Sequence, residues 1–258
     1  STSNANNGQG GGGTGSKTPT RSTGKIGYGQ TFSSASSQFI QVTDNTSLQI
    51  TGPLALEGWT NAPSFSAAKD SVIGRQYGTG NQVSYYLSHQ FVSGSWIGAY
   101  VTTGGGKGGS PGTGTWYHYA MNFTGSGGGS GTIYIFQNGV QQTSIASQSI
   151  STDRNPVLLG AVENSGGASS FWSGGLDELR ISNVARTGDW FLTEYNNQNS
   201  PNLFISNGTK VAPCGGAPSS WYNCAWGFRK NITINSSMVN GTLSNFPVLV
   251  NLSSDANL

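Results

Sequence analysis

The stretch GTWYHYAMNF (Gly114–Phe123) and the one that follows it, TIYIFQNGVQ (Thr132–Gln141), decide the fold class. In the second, β-branched and aromatic residues lead up to Asn138-Gly139, a pair that supplies the positive φ values a tight hairpin turn requires. In YHYAMNF (Tyr117–Phe123), apolar or aromatic side chains fall on both faces, which marks a central strand packed from both sides. Working outward, short runs of the same kind recur at Phe39-Ile40 and Val42, at Leu54, Leu56 and Trp59, at Val72-Ile73, at Tyr85 to Leu87 and at Trp96 to Val101. Turn clusters separate them, and no amphipathic helix intervenes. This spacing predicts an all-β antiparallel sandwich with one short helix within Ala185 to Asn196, opened by Thr187 or Asp189.

Composition agrees. Gly, Ser, Thr and Asn together make up 124 of the 258 residues, as many short strands and many turns require. The 28 aromatic residues are far more than a disordered chain carries. Twelve basic against ten acidic residues give +2, too balanced for a nucleic-acid footprint, and no apolar run is long enough to span a membrane as a helix. Ser1 reads as a cut or processed end, and the run QGGGGTG (Gln9–Gly15) as part of a long surface loop or irregular edge over residues 1–24.

Cys214 and Cys224 lie in a Gly/Pro/Ser loop without CxxC spacing or a neighbouring His. A disulfide is the favoured reading over two free thiols; closing so short a loop stabilises by about 3 kcal/mol in the chain-entropy model and needs an oxidising compartment. Asn-x-Ser/Thr sequons stand at Asn45, Asn122, Asn207, Asn231, Asn235, Asn240 and Asn251, compatible with a glycosylated exterior.

Five segments in order resemble the LamG-like jelly-roll family of the concanavalin A-like lectin/glucanase superfamily. They are GKIGYGQTF (Gly24–Phe32), LALEGW (Leu54–Trp59), GTWYHYAMNF, TIYIFQNGVQ and FWSGGLDELRISNVAR (Phe171–Arg186). The resemblance covers about residues 1 to 200 and implies a jelly-roll β-sandwich over 1–205. A second resemblance, at WGFRKNITI (Trp226–Ile234) and NFPVLVNLSSDANL (Asn245–Leu258), is to the opening of a β-domain of unknown function from microbial surface proteins. It implies a disulfide-bearing linker at 206–226 and a β-strand arm or partial second β-domain at 227–258. In that arm Ile232 and Ile234 share one face of a first strand, and Phe246, Val248 and Val250 one face of a second. STSNANNGQ (Ser1–Gln9) is similar to the segment after the family's first strand, which leaves one sheet with an unpaired edge and an unfilled place in its core.

Glucanases of this superfamily place two acids on one strand as Glu-x-Asp-x-x-Glu, because retaining hydrolysis needs carboxyl groups about 5 Å apart on one face. The nearest match is Asp177-Glu178, whose side chains should point to opposite faces. Asp177 is assigned to turn or strand hydrogen bonds and Glu178 to solvent or Arg180, so no enzyme activity is expected. Glu57 and Glu163 are isolated acids, His118 a satisfied strand histidine, and His89 a lone one. No cofactor is expected. The segment FSSASSQFIQV (Phe32–Val42) lacks the acids that bind calcium in several relatives; Asp44 with Asn45, or Asp153 with Asn155, could form a calcium loop but suit turn capping better. The GxGxxG match at Gly10, Gly12 and Gly15 is a coincidence of a glycine run. Tyr77, Tyr86, Trp96 and Tyr100 are candidates for stacking sugars, with Tyr85 close by.

Two functions follow. The first is a non-catalytic extracellular or cell-surface protein of a microbe, a subunit whose partners are copies of itself, joined head to tail into a filament by β-strand donation. The alternative is a lectin-like carbohydrate-binding module that recognises glycans through loop aromatics and Asn/Gln side chains.

Overall fold

The computed structural model describes residues 6–65, 69–80, 82–91, 94–126, 129–211 and 229–252. The strands are β1 (Gly8–Gly10), β2 (Thr20–Thr23), β3 (Tyr28–Phe32), β4 (Ile40–Val42), β5 (Leu54–Asn61), β6 (Lys69–Gln76), β7 (Val83–Phe91), β8 (Ser95–Val101) and β9 (Gly104–Gly108). They continue with β10 (Tyr117–Phe123), β11 (Gly131–Gln137), β12 (Val140–Gln148), β13 (Val157–Leu159), β14 (Val162–Asn164), β15 (Gly167–Ser169) and β16 (Gly174–Ser182). Helices α1 (Gly188–Asn199) and α2 (Pro201–Phe204) precede β17 (Ile205–Asn207) and β18 (Ile232–Ile234).

Two seven-stranded antiparallel sheets form the sandwich. The front sheet runs β1-β4-β13-β6-β7-β8-β9 and the back sheet β12-β11-β10-β5-β16-β3-β2. Between them lies one core that includes Leu54, Leu56, Ile73, Tyr85, Leu87, Ile97, Tyr119, Met121, Phe123, Ile135, Val157 and Trp172. The turn at Asn138-Gly139 has the expected positive φ values, 52° and 78°, and joins β11 to β12. The N-terminal glycine stretch supplies the edge strand β1 and two turns of 3₁₀ helix, as an irregular edge should.

In the back sheet β5 and β10 are buried on both faces because α1 covers its outside. Thr187 caps α1, its Oγ1 accepting from the Trp190 amide at 3.2 Å, and Asp189 sits in the first turn where the helix dipole favours an acid. Trp190 and Phe191 then pack on Ala55, Ala120 and Phe136, with the Phe136 and Phe191 rings 4.7 Å apart. The helix therefore starts at Gly188, later than Ala185, because the Thr187 cap sets its first turn, and α2 is a second helix that the sequence reading did not anticipate.

The tail departs from its expected form. Ile232 and Ile234 do lie in a strand, β18, and it pairs with β17 of the same chain. Phe246, Val248 and Val250 form no strand. Phe246 instead meets Trp190 edge-on at 4.9 Å, and the Leu249 backbone exchanges two hydrogen bonds with the Asn197 amide, 2.7 and 3.1 Å, so the segment lies on α1. A buried aromatic partner and a side-chain amide outcompete a ladder that has no adjacent strand to join. Cys214 and Cys224 lie outside the described residues.

Candidate functional site

The outer faces of the two sheets carry the side chains that the core does not use. On the back sheet these are Glu57, Trp59, His118 and Asn122, all buried beneath α1. The Glu57 carboxylate lies 3.6 Å from His118 Nε2, and Arg180 bridges Glu178 (2.6 Å) and Glu194. Burial pushes the Glu57 carboxyl up to about 7 against the pull of Arg180 and Arg186, and burial lowers the His118 imidazole to about 3, assisted by Arg180. His118 is not fully satisfied, since its Nδ1 has no hydrogen-bond partner. The acids gather here through folding, buried beneath α1.

Asp177 and Glu178 behave as expected. Asp177 accepts from the Ile26 amide (2.8 Å) and the Glu178 amide (2.9 Å), while Glu178 pairs with Arg180. Asp44 accepts from Arg75 (2.7 Å) and Gln49 (2.8 Å); Asp153 accepts from the Gly78 and Asn155 amides at 2.5 and 3.0 Å. Both carboxylates are thus engaged by protein donors, Asp153 by turn amides as expected and Asp44 by an ion pair with Arg75 in place of a turn cap. Among the described residues no group of three or more His, Cys, Asp or Glu side chains is arranged to hold a metal.

The front sheet's outer face is different. Antiparallel register sets Gly74, Tyr86, Tyr100 and Gly105 in one row across β6 to β9, and Ser71, Ser88, Gly98 and Lys107 in the next. Gln90 pairs with Trp96 beyond them. The Tyr86 and Tyr100 rings lie 6.3 Å apart and tilted at 42°. Ser71 Oγ and the Tyr86 hydroxyl are 2.9 Å apart, the Tyr100 hydroxyl donates to Gln90 Oε1 at 3.2 Å, and the Lys107 ammonium stands 5.2 Å from the Trp96 ring. Glycine is required at 98 by close approach: a Cβ there would stand 2.7 Å from Ser88 Oγ and collide with the Gln90 amide.

Over this face folds the β14–β15 hairpin, whose Ser165-Gly166 turn has positive φ at both residues. Val162 covers Gly74, where a Cβ would meet it at 2.8 Å. Hairpin and sheet enclose a pocket of about 240 Å³ lined by Val83, Tyr86, Tyr100, Val162, Glu163, Asn164, Ser169 and Ser170. Glu163 Oε2 has no hydrogen-bond partner, and neither have Gln90 Nε2 nor Trp96 Nε1 on the same face. Burial, with a contribution from Asp153, raises the Glu163 carboxyl above its ordinary value.

Of the aromatic candidates, the structure brings Tyr86, Tyr100 and Trp96 to this face. Tyr77 sits in the β6–β7 turn and does not line the pocket, while Tyr85 points into the core and donates to the Leu48 carbonyl at 3.0 Å. Gln90, Glu163, Asn164 and Ser170 were not anticipated; the Ser-Gly turn at 165–166 is the signal that could have located the hairpin.

The family model described as Laminin_G_3, concanavalin A-like lectin/glucanases superfamily, matches residues 34–191. The chain belongs to that superfamily. Among solved structures, this concanavalin A-like sandwich is similar to domain 4 of AbnA, a GH43 extracellular arabinanase from Geobacillus stearothermophilus, in complex with arabinotriose. The identity is 18%, the TM-score 0.51, and the match covers 67% of this chain and 79% of that one. It is also similar to the binding domain of Paraclostridial Mosquitocidal Protein 1, at 13% identity and TM-score 0.53, over 92% of this chain and 62% of that one. No curated protein sequence matches it. The superfamily contains both glycosidases and non-catalytic binding domains. No helix of the described residues is long and apolar enough to cross a membrane.

The sequons divide by position in this concanavalin A-like fold. Asn122 is buried and its Oδ1 accepts from the Arg186 amide at 2.8 Å, which removes it from the glycosylation candidates. Asn45 caps a 3₁₀ turn through the Ser47 amide. Asn207, Asn231, Asn235 and Asn240 are exposed, Asn240 donating to Asp189 at 2.7 Å, and Asn251 is half-buried.

Proposed function

We propose that this chain is a non-catalytic carbohydrate-binding module of an extracellular or cell-surface protein, and that the outer face of β6 to β9 together with the β14–β15 hairpin is its ligand surface. One observation carries the reading: the rings of Tyr86, Tyr100 and Trp96 share one sheet face with the unpartnered polar atoms of Gln90 and Glu163, and Tyr86, Tyr100 and Glu163 line the pocket there. Buried polar atoms without partners cost free energy, and a polyhydroxylated ligand offers both the donors and the acceptors that relieve it. Aromatic faces add apolar contact to the C–H side of a sugar ring. Glu163 and Lys107 give the face both signs of charge, which suits a neutral sugar better than a polyanion. Placement outside the cell is supported by the exposed sequons and the two-cysteine loop.

Domain 4 of the arabinanase was solved with arabinotriose, so arabino-oligosaccharides head the ligands to test. A glycan array on the intact chain, followed by titration calorimetry, is expected to reveal binding that weakens about tenfold, or 1.4 kcal/mol, in Tyr100→Ala. An array without signal, or binding indifferent to both Tyr100→Ala and Trp96→Ala, would refute the assignment.

A further inference from the structure

A free half-edge and an unfilled groove lie side by side in the sandwich. β16 pairs with β5 from Gly175 to Ser182, yet on its other side only Gly174–Leu176 meet a strand, β3. Among the described residues Leu179–Ser182 therefore have no strand beside them on that side, a template for one more. Beneath that edge two cavities, of about 190 and 250 Å³, share Leu159 and Leu179 in their walls. The first is otherwise almost wholly aliphatic, with Val42, Ile73, Val157 and Ile181 among its lining. Side chains facing such a void lose dispersion contacts, and water placed there finds few hydrogen-bonding partners. The fitting occupant is an extended segment, apolar at alternate positions, that adds to β16 through its backbone.

We propose that residues 246–252 of a second copy of this chain occupy the groove as an added strand. FPVLVNL places Phe246, Val248, Val250 and Leu252 at alternate positions, and the last two are each 37% exposed. The segment belongs to no strand pair in its own chain; the Leu249–Asn197 hydrogen bonds and the Phe246–Trp190 contact hold it to α1, so its release breaks few interactions. Pro247 has no N–H and suits an edge strand, since alternate amides face away from the partner. Exposed large apolar side chains also concentrate nearby, at Leu203, Ile232 and Ile234. Surplus apolar surface on the tail and missing apolar surface in the groove are complementary. Because they are different surfaces, the contact is heterologous and propagates from copy to copy.

The test mixes two variants of the full chain, Ile181→Cys and Val248→Cys, under oxidising conditions, beside each variant alone and a chain carrying both. The expected result is a covalent dimer in the mixture that neither variant forms alone, and a ladder of larger species from the double variant. Wild-type chain should show a sedimentation mass that rises with concentration, lost in Val248→Asp. A cross-link confined within single chains of the double variant, or the mass of one 26.8 kDa chain at every concentration, overturns the proposal. Should the substitutions unfold the chain, a synthetic peptide of residues 244–252 added to wild type gives a second readout. Slowed amide exchange at Leu179–Ser182 is then expected, and unchanged exchange there at saturating peptide overturns the proposal.

Discussion

The two outer faces of the sandwich start from the same strand alternation and end in opposite conditions. On the back sheet, Trp59, His118 and Phe136 are roofed by α1, and the polar atoms there mostly find protein partners, as Trp59 Nε1 does with Gln198. On the front sheet, glycines at 74 and 105 flank the paired rings of Tyr86 and Tyr100, no helix of the described residues crosses, and several polar atoms stay unpartnered. The largest carboxylate and imidazole perturbations, at Glu57 and His118, belong to the roofed face. Perturbed titration marks the roofed face, because burial under a helix shifts a carboxyl as effectively as a catalytic cleft does.

Phe191→Ala should break the contrast most severely: removing a fully buried ring from under the roof is expected to cost about 3–5 kcal/mol in urea unfolding. Glu57→Gln sharpens it through pH. The folded carboxyl, at about 7, lies above its ordinary value of 4.5, so the native state holds a proton that the unfolded chain releases across that window. This contribution to stability is complete below pH 4.5 and lost as pH rises through 7; thermal melts should therefore show Glu57→Gln gaining on wild type between pH 4.5 and 8, by on the order of 2 kcal/mol. The opposite slope from His118, whose folded pKa is about 3, runs from its ordinary value of 6.5 downward and persists in the variant.

Tyr100→Ala, on the open face, should reverse the pattern by changing unfolding free energy less than about 1 kcal/mol while glycan affinity falls. Thr187→Ala is the mildest change to the roof. Loss of the α1 cap is expected to cost about 1 kcal/mol, with glycan binding on the other face unaltered.

Local signals in the sequence were read correctly where a few neighbouring residues decide the structure. Asn138-Gly139 fixed a hairpin and YHYAMNF a doubly buried strand. The candidate site was half legible: aromatic content marked Tyr86, Trp96 and Tyr100, but the alternation of β7, which turns Tyr85 inward to the Leu48 carbonyl, was not fixed by aromatic content. Glu163 reaches the face through a hairpin laid over β6, a contact between segments far apart in the chain. In the tail the strand at Ile232–Ile234 was legible, but the docking of Phe246–Val250 on α1 was not, since the Asn197–Leu249 bonds span 52 positions and leave no periodic trace.

β9 carries a consequence of its own. Four of its five residues are glycine, it forms the outer margin of the front sheet, and Lys107 is its one side chain. Glycine loses more backbone freedom on ordering than any other residue, so this margin should open locally more often than the strands inside it. A ligand that engaged Lys107 would then act as a splint, and its arrival would be recorded as a drop in hydrogen–deuterium turnover along Gly104–Gly108, ahead of any change in overall melting.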